Sequence, residues 1–176
     1  MAVLIREIEI PIGPSIAYVP LTQGLYALID REDVPIVEGR NWYASKWKGG
    51  SYARISSNHF GGKNLHQLIP VDRPEFPFRD HRNGNGLDNR RANLRGATMA
   101  ENVRNTGLRK PNKTGFKGIR LDSDTGKWRA ALKKNGKTYG GGSHIFAEEA
   151  ARAYDRLASK HHGEFAKLNF PEVCHL

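Results

Sequence analysis

At 176 residues the chain is long enough for one domain of ordinary size or two small ones, and two small ones is the better reading. A formal charge of +10 and an isoelectric point near 9.9 point to a polyanionic partner, either nucleic acid or an acidic membrane surface. The single cysteine, Cys174, excludes an intramolecular disulfide and a multi-cysteine zinc site. No run approaches the roughly 18 apolar residues of a membrane span, which makes the membrane the poorer partner.

The opening MAVLIREIEIPIGP is broken by Arg6, Glu7 and Glu9, so it does not read as a signal sequence, and the chain is expected to work inside the cell. From Ile8 to Ile55 short apolar or aromatic runs (IAYVPL, LYALID, NWYASKW, SYARIS) alternate with Pro, Gly and Asp, predicting a small antiparallel sheet. Its aromatics, Trp42, Tyr43, Trp47 and Tyr52, read as core rather than as a stacking platform for bases. NLHQLI, Asn64 to Ile69, has the spacing of a short helix, and the proline-punctuated VDRPEFPF after it is extended. Thr98 and Glu101 form a T-x-x-E capping box that starts a longer helix, with Asn102 near its beginning.

Residues 105–114 have no apolar period and read as a basic, solvated linker, with Arg109, Lys110 and Lys113 available to track phosphates. Between Arg104 and Tyr139 eleven Lys or Arg face only Asp122 and Asp124, so nearly all the excess charge is concentrated there. FKGIRL, KWRAAL and KTYG predict three strands, the last two joined by the Asn135-Gly136 hairpin signal. AEEAARAYDRLASKHH then repeats its apolar and small residues at helical spacing, and Gly163 stops it.

The chemistry is concentrated in DHRNGNGLDNRRANLR. Hydrolysis of a phosphodiester needs an activated water, a counter-charge for the phosphorane and help for the leaving oxygen. Asp80 and Asn102 offer hard oxygen ligands for Mg²⁺ or Mn²⁺, and His81 is an imidazole suited to deprotonating water near neutral pH. Adjacent strand residues point to opposite faces, so Asp80 and His81 converge only if the strand ends there, and Asn83 to Gly86 supply the bend. Asn93 can then tie the loop backbone through its amide. The scattered His59, His144, His161, His162 and His175 have no metal-site spacing.

Asp80-His81, followed by Asn93 after eleven residues and Asn102 after eight more, resembles the HNH endonucleases of the ββα-metal fold, particularly the phage and intron-encoded homing type. The resemblance extends through LTQGLYALID, NWYASKW and NLHQLI. It implies metal binding by Asp80 and Asn102, a general base in His81 and a structural middle residue in Asn93. Arg79 and Arg82 stand where that family has apolar residues, and are read either as extra phosphate contacts or as the mark of a more exposed strand. Gln67 departs from the usual His-Arg-Leu, and His66, which matches its histidine, is read as packed rather than functional.

The C-terminal half, in GFKGIR, GKWRAAL, EEAARAYDRLA and GEFAKLNFP, is similar to the plant ethylene-response-factor type DNA-binding domain. That resemblance implies a three-stranded sheet lying in the major groove, with contacts from Lys117, Arg120, Arg129, Lys133, Lys137 and Tyr139. Ala131 replaces a polar contact of that family, and YGGGSHIF is one residue longer than usual, which leaves the register of Lys137 and Tyr139 open. Trp128 reads as core.

The sequence therefore predicts an α+β protein: a nuclease domain over residues 1–104, a linker over 105–114 and a DNA-binding domain over 115–172. The expected activity is metal-dependent nicking or cutting of double-stranded DNA, leaving a 5′-phosphate, by a monomer or weak dimer without an obligate protein partner. It would take place in the cytoplasm of a bacterial host. The alternatives are a DNA-binding regulator without catalysis and, more remotely, an RNA-binding protein.

Overall fold

The computed structural model describes residues 6–13, 15–47, 50–55, 61–108 and 112–171. Arg109, Lys110, His59 and His175 lie outside them. The fold is α+β and divides into two compact units, Met1–Asn102 and Val103–Leu176.

In the first unit β1 (Ile16–Pro20) pairs antiparallel with β2 (Tyr26–Asp30), and β3 (Trp42–Trp47) with β4 (Gly50–Ile55). Period-two patterning decides which residues are buried: Ala17 and Val19, Ala27 and Ile29, Trp42 and Ala44, and Ala53 and Ile55 all face the core. The expected single sheet is resolved as separate hairpins. A third is formed by β5 (Phe78–His81) and β6 (Leu94–Ala97). Val37, from the one-turn helix α1 (Val34–Val37), joins Leu65, Ile69 and Leu94 in the core these hairpins share.

The aromatic residues part company. Trp42 is buried and donates its indole N–H to the Val37 carbonyl at 3.0 Å. Trp47 is 73% exposed, so it is not the core residue that its sequence context suggests. NLHQLI forms the expected short helix as a single 3₁₀ turn, Leu65–Gln67. Gln67 accepts the Asn64 N–H at 2.8 Å and closes a capping box there.

α2 (Met99–Arg104) starts at the expected capping box. Glu101 accepts from the Thr98 backbone N–H and hydroxyl, both at 2.8 Å, and its own N–H is 3.2 Å from Thr98 Oγ1. Arg73 adds an ion pair to Glu101 at 3.3 Å.

In the second unit β7 (Ile119–Leu121), β8 (Trp128–Lys134) and β9 (Lys137–His144) form an antiparallel sheet in that order, packed on α3 (Ala147–His162). Asn135 and Gly136, with φ of 50° and 78°, make the β8–β9 turn with the positive dihedrals its sequence signals. Between the pairs Arg129–Ser143 and Ala131–Gly140 the register slips, so β9 carries one extra residue. A Cβ at Gly141 would lie 2.8 Å from that of Ala130, so only glycine lets β9 pass there. Within α3, buried Asp155 accepts the backbone N–H groups of Asn169 and Phe170 at 2.8 and 2.9 Å and ties the C-terminal segment down.

Of the described linker residues, Thr106, Gly107, Leu108, Asn112 and Lys113 are exposed, and the segment is held at its start. Asn105 is buried, the Thr106 hydroxyl donates to the Val103 carbonyl at 2.7 Å, and Lys117 donates to the carbonyls of Arg104 and Thr106 at 2.6 and 2.8 Å. Among the described residues no helix is long and apolar enough to cross a membrane.

Candidate active site

β5 ends at His81, where Gly84 (φ 77°) turns the chain and donates its N–H to the His81 carbonyl at 2.9 Å. The asparagines that follow hold the turn: Asn83 Oδ1 accepts the Asn85 N–H at 2.8 Å, and Asn85 Oδ1 accepts that of Leu87 at 3.1 Å. β2 anchors the far side of the loop. Leu28 donates to the Leu87 carbonyl and accepts from Asn89, both at 2.8 Å. Asp30 accepts the Arg91 N–H at 2.7 Å, and fully buried Asp33 takes the Arg91 guanidinium at 2.6 Å.

Asn93 is buried inside this loop. Its Oδ1 accepts the Asn83 N–H at 3.0 Å, and its Nδ2 donates to Asn83 Oδ1 at 3.1 Å and to the Asp88 carbonyl at 2.7 Å. One side chain thus joins both limbs of the loop that begins at His81. Asp88 is itself buried against Arg90, whose guanidinium approaches at 2.7 Å and holds that carboxyl below the usual carboxylate range.

His81 is buried, and its Nε2 lies 3.3 Å from Asn89 Oδ1. A proton on Nε2 suits that contact, and in that tautomer Nδ1 is the basic nitrogen. Burial lowers the His81 pKa below its ordinary value, opposed by the Asn89 hydrogen bond and by the charges of Asp80 and Asp88. The imidazole is therefore neutral at neutral pH. Around it stand the His66 ring, with centroids 5.0 Å apart, and the Tyr52 ring at 5.9 Å, both edge-on. His66 is pushed down to about 3, first by burial and then by the charges of His81 and Arg79, and its Nδ1 is buried without a hydrogen-bond partner.

Asp80 lies opposite Arg95 across the β5–β6 register. Arg95 Nε and Nη2 both reach Asp80 Oδ2, at 2.9 and 2.6 Å, with Asp80 4% and Arg95 1% exposed. Asn102 is in the first turns of α2, its N–H on the Thr98 carbonyl at 3.0 Å. Asp80 and Asn102 offer one carboxylate and one amide oxygen, hard donors of the kind Mg²⁺ or Mn²⁺ accepts. Among the described residues no group of three or more His, Cys, Asp or Glu forms a self-sufficient metal cage. That donor set fits an ion which takes its remaining oxygens from elsewhere.

Of the flanking arginines, Arg79 donates to the Phe76 carbonyl at 2.8 Å and Arg82 pairs with Asp72 at 3.1 Å on the surface. The sheet residues divide by strand alternation. Arg120 pairs with Arg129 in register, and Arg129 and Lys133 alternate with Ala130 and Leu132, which are buried against α3. Arg120, Arg129 and Lys133 thus share the face away from the helix, where Arg129 pairs with Asp122 at 2.7 Å. Tyr139 is in register with buried Leu132 and stacks on His161 of α3 at 3.9 Å, and the Lys137 amine lies 5.5 Å from the Tyr139 ring. Those two residues belong to the helix side, and the Lys117 amine is engaged by backbone carbonyls. Trp128 packs against the core of this unit.

A strand ending in Asp-His, an asparagine-clamped loop, a return strand and a capped helix define a ββα nuclease type of centre. The chain is 31% identical over 152 residues, 84% of its own length and 76% of the other's, to the protein described as "Uncharacterized HNH endonuclease L560" of Acanthamoeba polyphaga mimivirus. It is also 33% identical over 95 residues, 54% of this chain and 78% of the other, to "Protein 3.8" of Escherichia phage T7. No family model and no solved structure matches it. The chain belongs to the HNH endonuclease family.

Proposed function

We propose that this protein is a metal-dependent DNA endonuclease of the homing type, with its first unit cutting and its second an ethylene-response-factor type domain that grips the site. The observation that carries the reading is a buried His81, one residue from Asp80, at the mouth of a loop locked by Asn93. His81 accepts the proton of a water aligned on the scissile phosphate, and Asn89 on its opposite nitrogen suits the tautomer that can do so. Asn93 holds the loop geometry while the proton moves.

Asp80 and Asn102 would hold the divalent ion, Mg²⁺ or Mn²⁺, which when bound supplies charge stabilisation for the phosphorane and the departing 3′ oxygen. In the second unit Arg120, Arg129 and Lys133 present cationic groups on one sheet face, a surface whose shape suits the major groove. Lys137 and Tyr139 lie on the other side of the sheet, so the gripping face is smaller than sequence resemblance implies.

Supercoiled plasmid incubated at low ionic strength with Mg²⁺ or Mn²⁺, with and without EDTA, tests the reading. Metal-dependent conversion to open-circle or linear DNA is the expected result. DNA that is bound but stays supercoiled would favour a regulator without catalysis.

A further inference from the structure

Resting on the nuclease reading, we infer that Arg95 makes capture of the divalent ion conditional on DNA: by neutralising Asp80 it leaves the free protein a poor metal binder until phosphate oxygens arrive. Arg95 and Asp80 face each other across β5 and β6, and both partners are almost wholly buried. Two guanidinium N–H groups converge on one carboxylate oxygen, at 2.9 and 2.6 Å. That fixes the plane of the carboxylate and takes Oδ2 away from a cation. It also places a full positive charge beside the only acidic member of the proposed ligand pair, since Asn102 is neutral.

The charge that the protein itself offers an ion is therefore close to zero. Asp88, on the loop that follows β5, is paired with Arg90 and accepts from Asn83 at 2.9 Å, and no group of three or more His, Cys, Asp or Glu that could hold a metal occurs among the described residues. A Mg²⁺-like ion demands about six oxygens and gives up water reluctantly. One shared carboxylate and one amide cannot meet that demand, whereas a phosphodiester brings both oxygens and negative charge. Linkage makes the coupling mutual, so the ion must strengthen DNA binding by the same factor as DNA strengthens ion binding. Such coupling keeps the centre unarmed away from DNA. Arg95 is thus a positioning residue, acting through Asp80 and not on substrate.

The test is Mn²⁺ titration followed by electron paramagnetic resonance, on full-length His81→Ala protein so that DNA survives, with and without a short mixed-sequence duplex at low salt. Duplex alone and the protein carrying Asp80→Asn in addition give the background to subtract. The expected result is at least tenfold tighter Asp80-dependent binding of Mn²⁺ with duplex than without. Arg95→Met, checked for folding by circular dichroism, is expected to bind Mn²⁺ without DNA at least tenfold more tightly than the protein with Arg95 intact, and Arg95→Lys to remain close to the latter.

Equal Asp80-dependent affinity with and without duplex would overturn the inference while leaving the nuclease reading standing. A folded Arg95→Met protein that gains nothing would remove Arg95 from it. Absence of Asp80-dependent binding in both states would overturn the metal assignment and the inference with it. If Arg95→Met does not fold, Arg95→Gln, which keeps N–H donors for Asp80 without the charge, takes its place with the same tenfold gain expected and the same outcome removing Arg95.

Discussion

His81 and His66 are neighbouring imidazoles, both kept neutral by burial, but they sit differently. His81 has a hydrogen-bond partner and two carboxylates that partly offset its desolvation, whereas the Nδ1 of His66 has no partner and its environment is wholly unfavourable to a proton. A histidine whose folded pKa lies below the unfolded value stabilises the fold fully above about pH 6.5, and that stability is lost as pH falls toward the folded value, about 3 for His66. Between pH 7 and pH 5 the loss from His66 is about 2 kcal/mol. Urea unfolding of wild type and His66→Phe at the two pH values checks this: the variant is expected to lose much less, and an unchanged difference would count against it. Asp80, His81, Asn93 and Asn102 are candidates through residue type, spacing and family resemblance along one short segment, and of them Asn93 is seen clamping the loop that begins at His81. Arg95, Asn89, His66 and Tyr52 were not legible as neighbours, since their approach depends on strand register and on a loop docking against β2.

At the level of elements, β1 to β4 and β7 to β9 fall within or beside the runs that alternation and turn residues mark, and α3 covers the expected AEEAARAYDRLASKHH. Local signals suffice there: the Thr98–Glu101 box, Asn135-Gly136 and Gly163 each act within a few residues. What local signals could not give was the division of the first unit into separate hairpins, the exposure of Trp47, or the side of the sheet on which Tyr139 falls. These follow from partners distant in sequence and from a bulge. The β5–β6 hairpin also depends on a close approach by the segment before it. Gly96 donates to the Asp72 carbonyl at 3.0 Å, and a Cβ there would lie 2.0 Å from the Arg73 carbonyl oxygen. Gly96→Ala is therefore expected to destabilise the first unit by about 1–3 kcal/mol, as overpacking does, and to lower cleavage by displacing Asp80 and His81 with their strand. A melting curve and activity both equal to wild type would show that segment 72–73 is free to yield.

For the molecule as a whole, the formal charge is +10 and it is carried almost entirely by the second unit. Nearly all of the excess falls between Arg104 and Tyr139, yet the fold distributes it unevenly: Lys117 is tied to backbone carbonyls and Arg129 to Asp122, while Arg120 and Lys133 are exposed on the face away from α3. Arg120→Ala and Lys133→Ala are each expected to weaken DNA binding and to reduce its logarithmic salt dependence by about 0.9, the contribution of one neutralised phosphate. Binding isotherms across a salt series measure it, and an unchanged slope would take that residue off the DNA face. Neither substitution touches the centre on β5 and its loop, so cleavage at saturating protein should persist.

The central claim is that hydrolysis depends on the His81 imidazole. It is tested most directly by measuring cleavage and binding of one DNA, under one set of Mg²⁺ conditions, with wild type and His81→Ala. Loss of a general base is expected to slow cleavage by about 10²–10⁴-fold while affinity stays within about twofold. A His81→Ala protein that cuts as fast as wild type, or that loses binding together with cutting, would contradict the assignment.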